Sequence, residues 1–474
     1  GHPMQSRDSR RQTEPLIDLS SPRHCHVVGI GGPGMSAIAL LLHQSGHTVS
    51  GSDLYESDVI EQLRREGVSV SIGHDASLVL GKDVVLYSTA IPLSNVELVE
   101  AQRCGIPVRH RSGILASLCA VRHAIGVAGT HGKTTTTALI AHIMGIAGQS
   151  PSSLIGAEVV GAGIGAQYGT SEYFVVEADE SDGTLDVLPL SSIVLTNVDI
   201  DHLDYFATFE AIQECFVEAA SVATHHVVLN SDDPGSSPVI TALQGNSRVV
   251  TFGTKAGSTF RIENERSSDL GVAFELVHGS DRALVASQLR GHHNVMNIAA
   301  AIALSVSVGV SLGTAVGAVA TFPGVMRRFT ERGTFDGALL IDDYAHLPAE
   351  IEATLLGARS HPALRGKLIA VFQPNRYHRI ATMADTYRDC FATADIVVIT
   401  DVYASGTPKI EGVTGELVVQ AITQAHPRAT IVWAPSRADT VSAVKSVISA
   451  GDVCVSMGCG DIETFPDDLT GGVL

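Results

Sequence analysis

The run Gly126-Val-Ala-Gly129-Thr130-His131-Gly132-Lys133-Thr134-Thr135-Thr136-Thr137 contains the residue types needed to grip a polyphosphate. Glycines let backbone N–H groups approach phosphate oxygens, Lys133 offers a point charge, and the Thr134 hydroxyl can ligate a phosphate-bound Mg²⁺. Before it, Ala124-Ile125-Gly126-Val127-Ala128 reads as a short buried strand, and Thr137 to Met144 reads as an amphipathic helix. That order puts the turn where helix-start amides point outward. The standard phosphate loop G-x-x-x-x-G-K-[ST] needs glycine at position 127, where Val127 stands, so a related but distinct loop class is expected. The plainer alternative is a Thr-rich helix start with a surface lysine.

Acidic residues gather at two further strand ends. Val175-Val176-Glu177-Ala178-Asp179-Glu180-Ser181-Asp182 sets four carboxylates at the C-terminal end of an apparent strand, where α/β sheets hold their ligands. Mg²⁺ needs few carboxylates beside phosphate oxygens, so one of these facing Thr134 is a candidate ligand; the alternative is an acidic solvated loop. Leu195-Thr196-Asn197-Val198-Asp199-Ile200-Asp201-His202-Leu203-Asp204 repeats the pattern, with His202 a candidate metal ligand or proton handler. His293 and Asn294, ahead of the Ala-rich helix Ile298 to Ser305, either cap that helix or read a purine edge. Arg327 and Arg328 stand at an expected domain junction, where a guanidinium could bridge to a transferring phosphoryl group. After two later strands come Asp342-Asp343-Tyr344-Ala345-His346 and Asn375-Arg376-Tyr377-His378-Arg379; Arg376 and Arg379 could clamp a substrate carboxylate or simply face solvent.

A second nucleotide motif opens the chain. Strand-like His26-Val27-Val28 runs into Gly29-Ile-Gly31-Gly32-Pro33-Gly34-Met35-Ser36 and a helix, and the next strand ends at Asp53, where an acidic residue meets a ribose hydroxyl. Alone this supports a nicotinamide dinucleotide as well as any other nucleotide diphosphate, or a structural tight turn.

Strand-like and helix-like segments alternate along the 474 residues, which predicts α/β architecture with mostly parallel sheets and a small antiparallel excursion from Asn264 to Asp281. The restarts place domains at residues 21–121, 122–330 and 331–474, after a loosely ordered stretch 1–20 in which Gly1-His-Pro precedes Met4 like a cloning scar. A net charge of −19 argues against non-specific binding to nucleic acid or anionic membranes, so an anionic ligand must rely on locally placed cations. Seven scattered cysteines without a CxxC pair fit reduced structural thiols. With no apolar run near membrane-spanning length, a cytoplasmic protein is expected.

Taken in order, these segments resemble the Mur ligases, the ATP-dependent ligases of peptidoglycan synthesis, over nearly the whole chain. The carriers are Gly29 to Ser36, Gly129 to Thr136, Glu177 to Asp182, Thr196 to Asp204, His293-Asn294 with Asn297, Arg327-Arg328-Phe329 and Asp342 to His346; the G-I-G-G-x-G-M-S form tilts the resemblance toward the alanine-adding branch. The resemblance implies three domains: Rossmann-like N- and C-terminal domains flanking a central phosphate-loop ATPase domain. It implies ATP, two Mg²⁺ ions, UDP-N-acetylmuramate and L-alanine as ligands, an acyl-phosphate intermediate, and a monomer or homodimer. By the same resemblance Gly31, Gly32, Met35, Ser36, Asp53, Ser88 and Thr89 hold the UDP-sugar. Gly129, Thr130, His131, Gly132, Lys133, Thr134 and Thr135, with His293, Asn294 and Asp343, hold ATP; Thr134, Glu177 and His202 hold metal. Lys133, Glu177, His202, Arg327 and Arg328 serve catalysis, and His346, Arg376 and Arg379 surround the amino acid. Two positions depart from the family pattern, Leu347 and Asn375, where histidines are common. No lysine lies between Lys133 and Lys255, so a carbamoylated metal-bridging lysine, used by several sister ligases, is not expected. The alternatives are a ligase recycling a preformed tripeptide onto the same sugar, a nicotinamide-dependent oxidoreductase resting on Gly29 to Gly34 and Asp53, and a non-catalytic nucleotide sensor.

Overall fold

The computed structural model describes residues 14–155, 164–179, 183–199, 208–268, 270–324, 329–404 and 407–471. Three sheets carry the described chain. The first is parallel, in the order Ser69–Ile72, Thr48–Asp53, His24–Val28, Val84–Tyr87, Val108–His110. Its direction of winding reverses beside His24–Val28, and a strand-order reversal of this kind opens a crevice at the C-terminal strand ends. In the second sheet the parallel strands run Val249–Gly253, His226–Asn230, Ser192–Leu195, His123–Ala128, Tyr173–Glu177, Ser152–Leu154, with Ala166–Gln167 antiparallel at one edge. Phe260–Ser268, Gly271–His278 and Asp281–Ser287 extend the other edge. Their two-residue links permit only antiparallel pairing, as expected for this excursion. The third sheet runs Thr330–Phe335, Ala338–Asp343, Val453–Met457, Leu368–Phe372, Ile396–Ile399, Thr430–Trp433, antiparallel only in its first pair.

The strands form where apolar β-branched runs can be buried on both faces, as parallel sheets demand. Every residue of Leu368–Phe372 and Val453–Met457 is buried. The chain divides into two compact units, residues 1–262, 276–283 and 297–319 in one and residues 263–275, 284–296 and 320–474 in the other. The first sheet and the strands of the second from Val249–Gly253 to Ala166–Gln167 therefore share the first unit. Within it one continuous apolar cluster runs from Leu19 through Ile38 and Leu42 of helix Pro33–Gln44, and Leu115 and Leu118 of helix Arg111–Ala120, to Leu154, Phe174, Leu185 and Leu243. The second unit has its own core, around Ile341, Phe372, Tyr387 and Ile399.

Two expectations need correction. Residues 14–20 are not loose: the Ile17 amide donates to Ser117 Oγ (3.0 Å), Arg109 donates to the Pro15 carbonyl (3.0 Å), and Leu19 is buried. The helix after the phosphate turn begins at Lys133 rather than Thr137. β-Branched threonines are poor helix formers in isolation, but Thr134, Thr135, Thr136 and Thr137 are all buried here, and packing overrides the local preference. All seven cysteines are free; burial pushes the Cys25 and Cys454 thiols up to about 12, as for inert structural groups. Among the described residues no helix is long and apolar enough to cross a membrane.

Candidate active site

In the first unit, strand His123–Ala128 ends in the phosphate turn, and helix Lys133–Ile146 starts from it. Gly129 (φ +128°) and Gly132 (φ +81°) adopt backbone angles that other L residues rarely take. A Cβ on Gly129 would lie 2.0 Å from Thr196 Oγ1, and one on Gly132 would lie 2.3 Å from Asn297 Oδ1. These close approaches show how the turn is held. Asn197 donates its amide to the His131 carbonyl (3.2 Å), accepts from the His131 N–H (2.9 Å), and its own carbonyl accepts from the Thr130 N–H (3.0 Å). Thr196 Oγ1 donates to the His131 carbonyl at 2.6 Å, and the Asp199 amide donates to Thr130 Oγ1 at 2.8 Å. Beneath this strand end the Val198 amide donates to Asp233 (2.7 Å), whose carboxyl burial raises above its ordinary range. Asn297, in helix His292–Ser307, accepts from Thr136 Oγ1 (3.3 Å).

The reactive groups converge on this braced turn. Thr134 Oγ1 donates to Glu177 Oε1 at 2.7 Å, so a hydroxyl and a carboxylate oxygen meet at one point. Hard oxygen donors of this kind suit Mg²⁺, which keeps water and phosphate oxygens for its remaining positions. Lys133 Nζ donates to the Gly129 carbonyl at 2.6 Å and lies 3.8 Å from Asp179 Oδ1; its charge therefore stays on the turn. His131 Nε2 lies 3.4 Å from Asp199 Oδ2. Of the predicted residues, Gly129 to Thr135 and Glu177 are thus brought together. His202, Arg327 and Arg328 lie outside the described residues. Among the described residues no group of three or more His, Cys, Asp and Glu forms a metal cage.

The crevice of the first sheet is built on the same plan. Ser52 O accepts from the Gly29 and Ile30 amides (2.8 and 3.1 Å), and Asp53 Oδ2 accepts from the Gly31 amide at 2.7 Å, so Asp53 fixes the glycine turn. Helix Pro33–Gln44 starts from that turn, with Ser36 and the Met35 side chain buried. Ser88 and Thr89 follow strand Val84–Tyr87, and Thr89 Oγ1 lies 2.9 Å from His110 Nε2. Sequence reasoning missed Arg111: a Cβ on Gly34 would lie 2.8 Å from its Nε, which puts a guanidinium at the helix start where a diphosphate needs one. No motif flagged it, since it is a lone arginine that only the fold carries to the glycine turn.

In the second unit, Asn294 is buried and its side-chain amide donates to the Arg290 carbonyl (2.9 Å), with His293 beside it in the first turn of helix His292–Ser307. Asp343 accepts the Phe329 and Ala345 amides, both at 2.7 Å, and so holds backbone on either side of its strand. His346 packs edge-on against Tyr344, with Nδ1 3.4 Å from Glu350 Oε1. Arg379 is buried and donates to Asn375 Oδ1 at 3.3 Å, so the departure at Asn375 gives the guanidinium a neutral partner. Arg376 takes φ +63°, rare outside glycine, and its amide donates to the Tyr403 carbonyl at 2.8 Å. His346, Arg376 and Arg379 follow strands of one parallel sheet and so share its C-terminal edge; Tyr403 joins them there.

A braced glycine turn with a lysine, a hydroxyl and a carboxylate beside it, and a second glycine turn at the crevice of a parallel sheet, are the features of an α/β nucleotide-binding protein. Three domain families match the chain in turn: the Mur ligase family catalytic domain over residues 24–123, the Mur ligase middle domain over 127–305, and the Mur ligase glutamate ligase domain over 327–460. A protein of Sorangium cellulosum named UDP-N-acetylmuramate–L-alanine ligase is 38% identical over 444 residues, 93% of this chain and 94% of that one. The solved UDP-N-acetylmuramate-alanine ligase of Thermotoga maritima matches with a TM-score of 0.77 at 27% identity, covering 95% of this chain and 98% of that one. A murein peptide ligase from Psychrobacter arcticus matches with a TM-score of 0.69 at 25% identity, covering 95% and 99%. The chain belongs to the Mur ligase family. The oxidoreductase alternative is thereby corrected: the Gly29–Gly34 turn that prompted it lies within the matched Mur ligase segment.

Proposed function

We propose that this Mur ligase joins L-alanine to the lactyl carboxylate of UDP-N-acetylmuramate with conversion of ATP to ADP and phosphate. The observation that carries the reading is the convergence of Lys133, Thr134 and Glu177 on a turn braced by Thr196, Asn197 and Asn297. A turn of this kind holds the β- and γ-phosphates while a carboxylate oxygen of the sugar attacks the γ-phosphorus and ADP departs. The alanine amine then attacks the acyl carbon, the C–O bond to phosphate breaks, and a proton leaves the nitrogen. Lys133 offsets the charge that builds on the transferring group, and fixed cations count for more in a site that excludes water. Thr134 and Glu177 would hold a Mg²⁺ ion, which would supply Lewis-acid neutralisation of phosphate charge; by the family resemblance His202 would hold a second. His293 and Asn294 take the adenine, Arg327, Arg328 and Asp343 the remainder of ATP, and His346, Arg376 and Arg379 the amino acid. The crevice at Gly31, Gly32, Asp53, Ser88 and Thr89, with Arg111, takes the UDP-sugar, and the reaction belongs in the cytoplasm.

Similarity to the murein peptide ligase keeps a tripeptide acceptor as a second reading. Phosphate release measured with ATP, Mg²⁺ and UDP-N-acetylmuramate separates the two. Stimulation by L-alanine and trapping of the intermediate as a hydroxamate support the first reading; stimulation by tripeptide alone overturns it.

A further inference from the structure

Beneath the Gly29–Gly34 turn lies a polar cluster within an otherwise apolar layer. Glu97, in the first turn of helix Val96–Arg103, is 0% exposed and joins three elements. Its Oε1 meets His26 Nε2 on strand His24–Val28; its Oε2 accepts from Ser52 Oγ on strand Thr48–Asp53 and lies 2.7 Å from His74 Nδ1. Burial alone pushes this carboxyl up, but the bonds from His26, Ser52 and His74 outweigh it and hold Glu97 below the usual glutamate range. An ionised carboxylate only accepts, so each of the three partners must donate to it. A neutral imidazole has one N–H; with that proton on Nδ1, His74 Nε2 is left an acceptor. The His74 side chain is 15% exposed, and among the described residues Nε2 has no hydrogen-bond partner.

The position of His74 gives that lone pair a use. His74 lies two residues beyond strand Ser69–Ile72, and the intervening Gly73 (φ +92°) donates its amide to the Asp53 carbonyl at 2.8 Å. The glycine turn is where a diphosphate sits and the acid ending the next strand is where a ribose sits. Ser69–Ile72 is the next strand outward, so His74 stands on the far side of the ribose position from the diphosphate, the side left for the base. Uracil presents one donor on its pairing edge, the imide N3–H between two carbonyls, whereas cytosine presents an acceptor at N3.

We propose that Glu97 is a positioning residue that locks His74 in the Nδ1–H tautomer, so that Nε2 accepts a hydrogen bond from the uracil N3–H of the bound UDP-sugar. The inference rests on the reading of the Gly29–Gly34 crevice as the UDP-sugar site. It gives the buried carboxylate under the turn a role: the lock selects uracil through its imide N–H, where cytosine presents an acceptor.

The test uses the full chain, with calorimetric titration of UDP, N3-methyl-UDP and CDP and ¹⁵N imidazole spectra of His74. The wild type is expected to prefer UDP over the other two by about tenfold, the effect of one hydrogen bond to a buried partner, and to show a single Nδ1–H tautomer. Glu97→Gln is expected to erase that preference and mix the tautomers. His74→Leu removes the acceptor at the rim while Glu97 keeps two of its donors; it is expected to lose the preference with the KM for ATP unchanged. Folded variants that retain the UDP preference, or a wild-type spectrum with the proton on Nε2, overturn the proposal. Absence of UDP binding by the wild type overturns the crevice reading itself, and with it the role in base selection, while the spectrum still decides the tautomer lock.

Discussion

Gly129→Ala is the sharpest test of how the phosphate turn is built. At φ +128° an L residue costs about 1–3 kcal/mol in backbone strain, because the region is essentially reserved for glycine. The added Cβ would lie 2.0 Å from Thr196 Oγ1 and 3.0 Å from both the Asn197 carbonyl oxygen and the Thr196 amide nitrogen. The hydroxyl can swing away, but its single proton then leaves the His131 carbonyl (2.6 Å), with the Ala128 carbonyl at 3.2 Å beside it, a loss of about 1 kcal/mol net. The backbone atoms cannot yield so easily. The sum, about 2–4 kcal/mol, falls on the turn rather than on the distant core. Carried wholly into ATP binding and turnover, it corresponds to a loss of roughly one and a half to three orders of magnitude in kcat/KM for ATP. The assay is initial-rate phosphate release across an ATP titration, beside a thermal melt. Thr196→Ala in the same background should recover only part of the loss, since it relieves the side-chain clash and leaves the strain and the backbone contacts. A Gly129→Ala enzyme with wild-type kcat/KM, or complete rescue by Thr196→Ala, would refute the reasoning.

Thr134→Val keeps the shape of a buried side chain but removes the oxygen that meets Glu177 at 2.7 Å; the Mg²⁺ concentration giving half-maximal rate should rise at least tenfold, and an unchanged Mg²⁺ titration refutes the assignment. Lys133→Ala should reduce turnover by about 10³-fold or more with the melting temperature nearly unchanged, read from single-turnover phosphate release; full turnover would return the lysine to an ordinary surface role. Asp452 gives a pH prediction. Burial pushes its carboxyl up, but the Lys367 amide (2.7 Å) and ammonium (3.1 Å) and the Ser449 amide (2.8 Å) hold it below the usual aspartate range. Its stabilisation is therefore present above the unfolded-state value and is lost as pH falls through the lower folded one. Asp452→Asn should destabilise the protein by about 1–3 kcal/mol near neutrality, with the gap to wild type closing in acid; a pH-independent gap contradicts this.

Strands with continuous apolar runs, such as Leu368–Phe372 and Val453–Met457, were legible because burial on both faces leaves an unambiguous pattern. Short strands such as Ser69–Ile72 and Ser152–Leu154 were not, because serine-rich runs of three or four residues are too short for a pattern to stand out from chance, and they form by pairing with a neighbour. The site divides in the same way. Glycines, Lys133, Thr134 and Glu177 declare themselves by local spacing. Arg111, Asn297 and the Glu97 cluster depend on chain segments that meet only after folding: Gly34 and Arg111 are far apart in sequence, as are Gly132 and Asn297. Asp343 shows the converse. A carboxylate at a strand end read only as a ligand group, and the structure adds that each of its oxygens also accepts a backbone amide.

The apolar cluster that runs unbroken from Leu19 to Leu243 has a thermodynamic consequence. The Gly29–Gly34 crevice and the phosphate turn, the two sites proposed for nucleotides, sit on sheets that share one interior, so neither sheet can lose its packing without exposing side chains of the other. Global opening of that interior is then a single event. Any molecule held by the folded form at either crevice deepens the same free-energy well, by RT ln(1 + [L]/Kd). A saturating nucleotide sugar should accordingly protect amides of strand His123–Ala128, and ATP those of strand Val84–Tyr87, against exchange through whole-unit opening. Each substrate thus acts as a folding ligand for the sheet that binds the other.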